Sequence, residues 1–147
     1  MLITERLCLV PCTLASFTDS NYPLLDHIQY ALNQTESDQS TIGWYVWLAK
    51  RKEDGKTVGD IGFKGKPVNG TVEIGYGIDP DEHNKGYATE AAIALVEWAF
   101  LHEAVRKVQA ECDIDNVASI RVLEKLGMKR IEEMKGMIYW GLERSSV

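Results

Sequence analysis

The most regular hydrophobic pattern of the chain lies between residues 71 and 100. From Val72 to Ile78, apolar residues alternate with glutamate or glycine, which is typical of a strand with one buried face. Pro80 is expected to end this strand. After the polar residues 81–85, apolar positions recur at helical spacing; they are Ala88, Ala91, Ala92, Leu95, Trp98 and Ala99. The pattern therefore predicts a strand, a turn and a helix in succession.

The residues before this segment predict a strand, two helices and a hairpin. Residues 2–10 alternate in polarity up to Pro11 and predict a first strand. Residues 13–34 have helical spacing interrupted by Pro23, so one short and one longer helix are expected, followed by a polar loop at 36–41. Residues 43–50 and 57–64 are strand-like and flank Asp54-Gly55, a strong hairpin signal. With the strand at 71–78 they should form a three-stranded meander.

The residues after the long helix predict a mixed sheet. Residues 106–112 are strand-like, and a strand, a crossover helix and a second strand imply a parallel, right-handed unit. Asp115-Asn116 suits a helix N-cap, and Gly127 suits the position after that helix. Residues 128–132 and 137–142 then predict a final hairpin around Lys135-Gly136.

Length and composition limit the class of protein. The 147 residues are expected to form one domain, 1–147, and the fractions of hydrophobic (45%) and charged (26%) residues are those of an ordinary globular protein. No run approaches the roughly 20 apolar residues of a membrane span. The N-terminal residues carry charges where a signal peptide has its apolar stretch. We therefore expect a cytoplasmic protein that does not enter a membrane.

Charge and metal-binding residue types exclude further classes. A net charge of −6 disfavours nucleic acid as a partner and mildly favours a cationic one. The cysteines lack the spacing of a zinc site or a disulfide framework, and the histidines are scattered, so no metal is expected. These residues are Cys8, Cys12, Cys112, His27, His83 and His102.

The turn before the predicted helix has the composition of an anion-binding site. The first four amide groups of a helix lack partners within the helix, and the helix dipole is positive there. Gly86 would let the backbone approach a phosphate, Ala88 is small, Thr89 would add a hydroxyl group, and Lys85 would add a charge. An ordinary left-handed turn before a helix has the same local sequence. The local residues alone leave both interpretations open.

The spacing around this turn is more specific. Ile78, four residues, His83, two residues, Gly86, one residue and Ala88 together resemble the acyl-CoA pyrophosphate signature of the GNAT superfamily of N-acyltransferases, V/I-x4-Q/R-x2-G-x-G/A. His83 stands where the family usually has Gln or Arg. The segments TERLCLVPCT, DNVASIRVLEKLGMKR and YATEA resemble the branch that contains the ribosomal-protein alanine N-acetyltransferases. The stretch from Gly43 to Gly65, which contains GDIGFKG, is similar to a group of uncharacterised bacterial members of that branch.

The resemblance covers nearly the whole chain and implies a fold and a cofactor. The implied GNAT fold is α/β (α+β), with a mixed, mostly antiparallel sheet of six to seven strands, helices on both faces and a splayed central parallel strand pair. The implied cofactor is acetyl-CoA. Its pantetheine arm would lie in the gap between the two splayed strands and pair with the backbone of Gly77 and Ile78. The residues implied to surround the pyrophosphate are His83, Asn84, Lys85, Gly86, Tyr87, Ala88 and Thr89.

Two residues at the start of the helix that follows Asp115-Asn116 are implied to contact the cofactor. By the resemblance, Asn116 would form a hydrogen bond with the cofactor arm and Ser119 would approach its sulfur. The structural alternatives are a helix N-cap for Asn116 and an ordinary first-turn hydroxyl for Ser119. Many family members carry a Tyr that protonates the leaving thiolate, but Leu123 stands at that position. Ser119 is therefore the expected substitute.

A direct transfer also needs a group that accepts the proton of the acceptor amine. Glu73, on the central strand, is the leading candidate; the alternative is a solvent-side strand residue paired with Lys64. The lesser candidates are Asp60, Tyr76 and Glu90. Glu90 also fits a first-turn charge that complements the helix dipole.

The resemblance implies an acetyl-CoA-dependent N-acetyltransferase that acts by direct transfer in a ternary complex. The expected partner is an amine acceptor, either a small molecule or a protein N-terminus, with homodimer formation left open. A second hypothesis is a non-catalytic CoA-binding sensor or regulatory protein, motivated by Leu123 and His83. A third is an interaction module whose glycine turn binds no phosphate.

Overall fold

The chain folds around an eight-stranded mixed sheet, in a computed structural model that describes residues 1–78 and 85–144. The strands are β1 (Leu2–Ile3), β2 (Leu7–Pro11), β3 (Val46–Arg51), β4 (Thr57–Phe63), β5 (Thr71–Ile78), β6 (Lys107–Asp113), β7 (Lys129–Met134) and β8 (Met137–Glu143). The helices are α1 (Leu14–Thr18), α2 (Asp26–Ser37), α3 (Tyr87–Phe100) and α4 (Val117–Lys125), with a short 3-10 helix at Gln39–Thr41.

The sheet has the strand order β1-β2-β3-β4-β5-β6-β8-β7. Each neighbouring pair is antiparallel except β5 and β6, which are parallel and are connected through α3. The parallel pair follows from chain connectivity, because the crossover helix brings the chain back to the end of the sheet where β5 began. The predicted meander, the crossover and the final hairpin are confirmed.

Helices cover both faces of the sheet, as predicted. Trp47 and Ala49 of β3 belong to the larger hydrophobic core, which includes residues of α3 and α4. Leu48, between them, belongs to a smaller core with Ile28 and Leu32 of α2. Because successive strand side chains point to opposite faces, one strand contributes to both cores.

The start of the chain differs from the prediction. Residues 2–10 form two strands, since Thr4 turns the chain: its backbone N–H donates to the carbonyl of Leu7 at 2.9 Å, and its hydroxyl accepts from the Leu7 N–H at 2.9 Å. This turn raises the strand count above the six to seven expected. The predicted loop at 36–41 instead holds the end of α2 and the 3-10 helix, at whose start Asp38 accepts a hydrogen bond from the Ser40 N–H.

The predicted ends of α4 are confirmed. The carboxamide oxygen of Asn116 caps the helix by accepting from the Ser119 N–H at 3.0 Å. Gly127 follows the helix with φ of 83°, a left-handed conformation that favours glycine. The cap at Asn116 sets the start of α4 and therefore places Ser119 in its first turn.

Candidate active site

A gap opens between the two parallel strands. The recorded pairs of β5 with β6 are Thr71–Lys107, Val72–Val108 and Glu73–Gln109, and none follows in these two fully described strands. β5 continues along β4 as far as Ile78, while β6 continues along β8 as far as Asp113. The edge of β5 that includes Gly77 and Ile78 therefore borders the gap. An extended molecule can pair with such an edge as an added strand.

Helix α3 begins near the end of β5 with an open N-terminus. Gly86 is the N-cap, with φ of 80° and ψ of 8°, and no side chain caps the helix there. Lys85 and Gly86 are exposed, whereas Tyr87 is buried. Among the predicted phosphate-binding residues, Lys85, Gly86, Tyr87, Ala88 and Thr89 thus lie at or beside this N-terminus. His83 and Asn84 lie outside the described residues.

Arg6 reaches the same helix start from the N-terminal hairpin. Its guanidinium group donates to the carbonyl of Lys85 and to the carboxylate of Glu90, each at 2.7 Å, and lies 4.6 Å from the centre of the Tyr87 ring. Burial acts to raise the pKa of Glu90, but hydrogen bonds from Thr4 and Arg6 and the charge of Arg6 outweigh it, so the pKa is lowered. Glu90 therefore holds Arg6 beside the open N-terminus of α3.

Ser119 lies against the central strand. Its Oγ is 2.6 Å from the hydroxyl oxygen of Tyr76 on β5, and Asn116 caps the turn that carries it. Asn116 uses its carboxamide oxygen for this cap, so its NH₂ group can donate to another partner. Residues 76, 116 and 119, from two elements that border the gap, thus lie together.

Tyr76 carries an ionisable hydroxyl in this group. Burial raises its pKa above the ordinary value; the hydrogen bond with Ser119 lowers it, and the nearby Cys112 raises it. The net result is a raised pKa, so Tyr76 carries its proton at neutral pH. The pair can donate a hydrogen bond through Ser119 Oγ to an anion in the gap.

Glu73 forms an ion pair with Lys64. This pairing was part of the alternative interpretation of Glu73 as a solvent-side strand residue. The Lys64 ammonium also lies 3.8 Å from Glu111 on β6, so the cluster spans the two strands where their pairing ends. The hydrogen bond with Glu73 and the charges of both glutamates raise the pKa of Lys64 despite partial burial. The Glu73 side chain is 29% exposed, although its Oε2, the oxygen that faces Lys64, is buried.

A cavity of about 660 Å³ lies beside the stretch of β5 that borders the gap. Its lining includes Asp60 and Gly62 of β4, Lys64 directly after β4, residues 75–78 of β5, and the aromatic residues Tyr22, Tyr30, Tyr45 and Phe63. A Cβ atom at Gly75 or Gly77 would meet no atom within 4 Å, so these glycines leave the cavity floor open. The cavity can hold a molecule with an apolar body.

Asp60 is the buried carboxylate of this cavity. The hydroxyl of Tyr22 donates to one oxygen at 2.8 Å, and Nε2 of His27 lies 2.8 Å from the other. Only 8% of the Asp60 side chain is exposed. Sequence reasoning ranked Asp60 as a lesser candidate and assigned no role to Tyr22 or His27.

Two negative findings concern the described residues 1–78 and 85–144. No group of three or more His, Cys, Asp or Glu side chains there could hold a metal ion. No helix in the same residues is long and apolar enough to cross a membrane.

The comparisons with known proteins agree with this architecture. A family model described as an acetyltransferase (GNAT) domain matches residues 13–129. The chain is 35% identical over 123 residues to the uncharacterized N-acetyltransferase YjdG of Bacillus subtilis (strain 168). The matched region covers 81% of this chain and 73% of that protein.

Two solved structures share the fold. The ribosomal-protein-S5-alanine acetyltransferase from Vibrio fischeri has a TM-score of 0.72 at 16% identity, covering 98% of this chain and 96% of that one. The spermidine N-acetyltransferase from Vibrio cholerae, in complex with CoA and spermine, has a TM-score of 0.73 at 12% identity, covering 95% and 96%. The family match over residues 13–129 and the 35% identity to the Bacillus subtilis relative establish that the chain belongs to the acetyltransferase (GNAT) family and is an N-acetyltransferase.

Proposed function

We propose that the protein transfers an acetyl group from acetyl-CoA to a primary amine by direct transfer in a ternary complex. The observation that carries the proposal is the opening of the β5–β6 pair close to the N-terminus of α3. An extended arm and a phosphate group need different surroundings, and this arrangement supplies both within one site. Acetyl-CoA, when bound, supplies an activated acyl group as a thioester.

The residues present fit such a cofactor. Gly77 is exposed, and the space that its Cβ would take is open, so a chain can approach the backbone of β5 closely. The left-handed Gly86 exposes the first amides of α3, which favour a pyrophosphate. Lys85 and Arg6 add positive charge at that end. Asn116 is placed to donate from its NH₂ group.

Ser119 and Tyr76 are placed to help the thiol leave. A serine hydroxyl alone is a poor acid, but its hydrogen bond with the tyrosine hydroxyl connects it to an ionisable proton. Because the pKa of Tyr76 is raised, complete proton transfer to a thiolate, whose ordinary pKa is about 8.5, is not favoured. We therefore assign the pair a hydrogen-bonding role that stabilises the departing thiolate.

Glu73 is the proposed acceptor of the amine proton, directly or through water. Its ion pair with Lys64 fixes the carboxylate where β5 and β6 part. A protein-bound carboxylate with access to water can pass the proton onward.

A covalent acetyl-cysteine step at Cys12 or Cys112 is disfavoured by the burial of both residues. Cys112, on β6, is only 5% exposed, and its sulfur accepts a hydrogen bond from the Trp140 indole at 3.4 Å. Cys12 is 2% exposed, and burial together with the charge of Asp60 raises its pKa to about 11. A thiolate nucleophile is therefore unfavourable at Cys12, and burial shields Cys112 from an acyl donor, so neither suits a covalent step.

A non-catalytic CoA sensor is the second candidate. Leu123 replaces the tyrosine of many family members, and it is fully buried in the larger core. Leucine has no proton to donate, so a protein without another donor near the sulfur would bind CoA without assisting thiol release. The Ser119–Tyr76 pair favours the enzyme, because it offers a replacement donor.

The cavity beside β5 is the proposed acceptor site. Its volume suits a small molecule, and its wall is formed by the same residues 75–78 that border the gap. The related fold from Vibrio cholerae holds CoA and spermine, which supports an amine as acceptor. A flexible protein N-terminus remains the other acceptor class to include in assays.

Two measurements test the proposal together. Thiol release from acetyl-CoA is followed with a panel of amines, and CoA binding is measured by calorimetry. The proposal predicts binding and amine-dependent release. Binding without release would support the sensor, and absence of binding would contradict both.

A further inference from the structure

We propose that the acceptor of this enzyme is a primary amine that carries a second cationic group, and that Asp60 binds this second group. The inference rests on the proposed acetyl transfer and goes beyond it by naming the acceptor class. It follows from the charge, the burial and the surroundings of one carboxylate.

The negative charge of Asp60 has no cationic side chain from Lys or Arg to balance it among the described residues. Its two recorded partners are the hydroxyl of Tyr22 and the ring of His27. Each of these partners occupies one of the two carboxylate oxygens, and a carboxylate can accept about four hydrogen bonds. Asp60 can therefore accept further hydrogen bonds from a ligand cation.

Burial makes this charge costly in the absence of a counterion. The Asp60 side chain is 8% exposed, and a buried ion is unfavourable unless it is paired. The field of Asp60 extends into the smaller core: after burial itself, this charge is the second cause of the raised pKa of Cys12. A ligand cation at Asp60 would offset the cost.

The rest of the cavity suits the other parts of such a molecule. Tyr22, Tyr30 and Tyr45 line it, and the rings of Tyr30 and Tyr45 meet edge to face with centres 5.7 Å apart. Tyrosine rings attract cations over their faces and pack against methylene groups. The open floor at Gly75 and Gly77 leaves room for an apolar spacer.

Lys64, the lysine of the described cavity lining, does not compete for this role. Lys64 follows the last residue of β4 and lies four residues from Asp60, a distance of about 13 Å in an extended chain. It is already paired with Glu73 and lies 3.8 Å from Glu111. In the described part of the chain Asp60 thus has no Lys or Arg partner, whereas Lys64 is already held by two carboxylates, an arrangement that fits an acceptor whose second cation lies at Asp60.

The test compares ligands that differ only in the second charge. Linear diamines of increasing length are titrated by calorimetry into the CoA-loaded protein, each beside the monoamine and the amino alcohol of equal length. The proteins are the wild type, Asp60→Asn and a control, Glu53→Gln. The control removes the same charge from an exposed residue outside the cavity lining. Acetylation of every ligand is measured separately.

The wild type is expected to bind the best diamine about tenfold or more tightly than its monoamine, as expected for a charge-assisted hydrogen bond. Asp60→Asn should lose most of this preference and bind the monoamine nearly as the wild type does, and Glu53→Gln should retain the preference. Equal binding of diamines and monoamines by the wild type would overturn the inference, and that comparison needs no variant to fold.

Two further outcomes separate the inference from the proposed function. If Asp60→Asn weakens monoamines and diamines equally, Asp60 acts on the reacting amine and the second-cation site is wrong. If diamines bind preferentially through Asp60 but no ligand is acetylated, the cation site stands and the proposed transfer fails.

Discussion

The hydroxyl of Tyr76 lies 2.6 Å from Oγ of Ser119, across the gap-side end of the central strand. The two residues are separated by 43 positions and belong to β5 and α4. The contact joins the strand that borders the gap to the helix whose first turn faces it. Ser119 and Tyr76 therefore act as one hydrogen-bonding unit in the proposed reaction.

Removing either hydroxyl should slow the chemical step. Ser119→Ala and Tyr76→Phe are each expected to lower turnover by about tenfold or more, and cofactor affinity should change little. The double variant should be only slightly slower than the single variants, because both changes interrupt the same unit. Rapid-quench measurements of acetyl transfer with calorimetry of CoA check this. Unaltered single-turnover rates would remove the pair from the mechanism.

Gly86→Asp should weaken CoA binding strongly. The substitution puts a side chain at φ of 80° and a negative charge at the N-terminus of α3, where both oppose a pyrophosphate. Gly136→Asp is the matched control, since Gly136 has the same φ of 80° in the β7–β8 turn. Calorimetry on both folded variants should show a loss only for Gly86→Asp. Equal affinity in the two would place the phosphate site elsewhere.

Glu73→Gln should change the pH dependence of the reaction. Glutamine keeps the shape but accepts no proton, so the rate should fall at pH 7 and partly recover as rising pH deprotonates the free amine. Glu111→Gln is the control, because Glu111 is the more distant carboxylate of the same cluster, at 3.8 Å from Lys64. Overlapping pH profiles for the wild type and Glu73→Gln would reject Glu73 as the base.

Glu90→Gln should destabilise the fold at neutral pH. The pKa of Glu90 is lowered in the folded protein, so its stabilisation is present above the unfolded pKa and is lost as pH falls through the folded pKa. Because Arg6 is 42% exposed, we expect a cost of about 1 kcal/mol, or about 2–4 °C in Tm. The difference from the wild type should vanish in acid.

Thermal unfolding at pH 7 and near pH 3 tests this, with Glu97→Gln as the control on an exposed position of the same helix. A loss of stability at pH 7 that persists unchanged in acid would show that the carboxylate charge is not responsible.

The fold was largely predictable because its elements follow local patterns. The alternation through β5, the helical spacing of α3 and the cap at Asn116 all act over a few residues. The turn at Thr4 was missed because it depends on paired hydrogen bonds between Thr4 and Leu7, which leave the alternation of polarity nearly unbroken.

The contacts of the site were less predictable, since they join distant positions. Asp60 meets His27 and Tyr22 across 33 and 38 residues, and no spacing rule links them. The contact between Arg6 and Glu90 spans 84 residues. Arg6 and Glu90 belong to the family-like segments TERLCLVPCT and YATEA, but only the structure shows that the two segments touch.

A crystal structure of the protein with bound CoA tests the central claim most directly. We predict that the pantetheine arm lies between β5 and β6, paired with the backbone of Gly77 and Ile78, with the pyrophosphate at the N-terminus of α3. The sulfur should lie within hydrogen-bond distance of Ser119 Oγ and open onto the cavity that holds Asp60. CoA bound outside the gap, or with its sulfur turned away from both Ser119 and the cavity, would contradict the account.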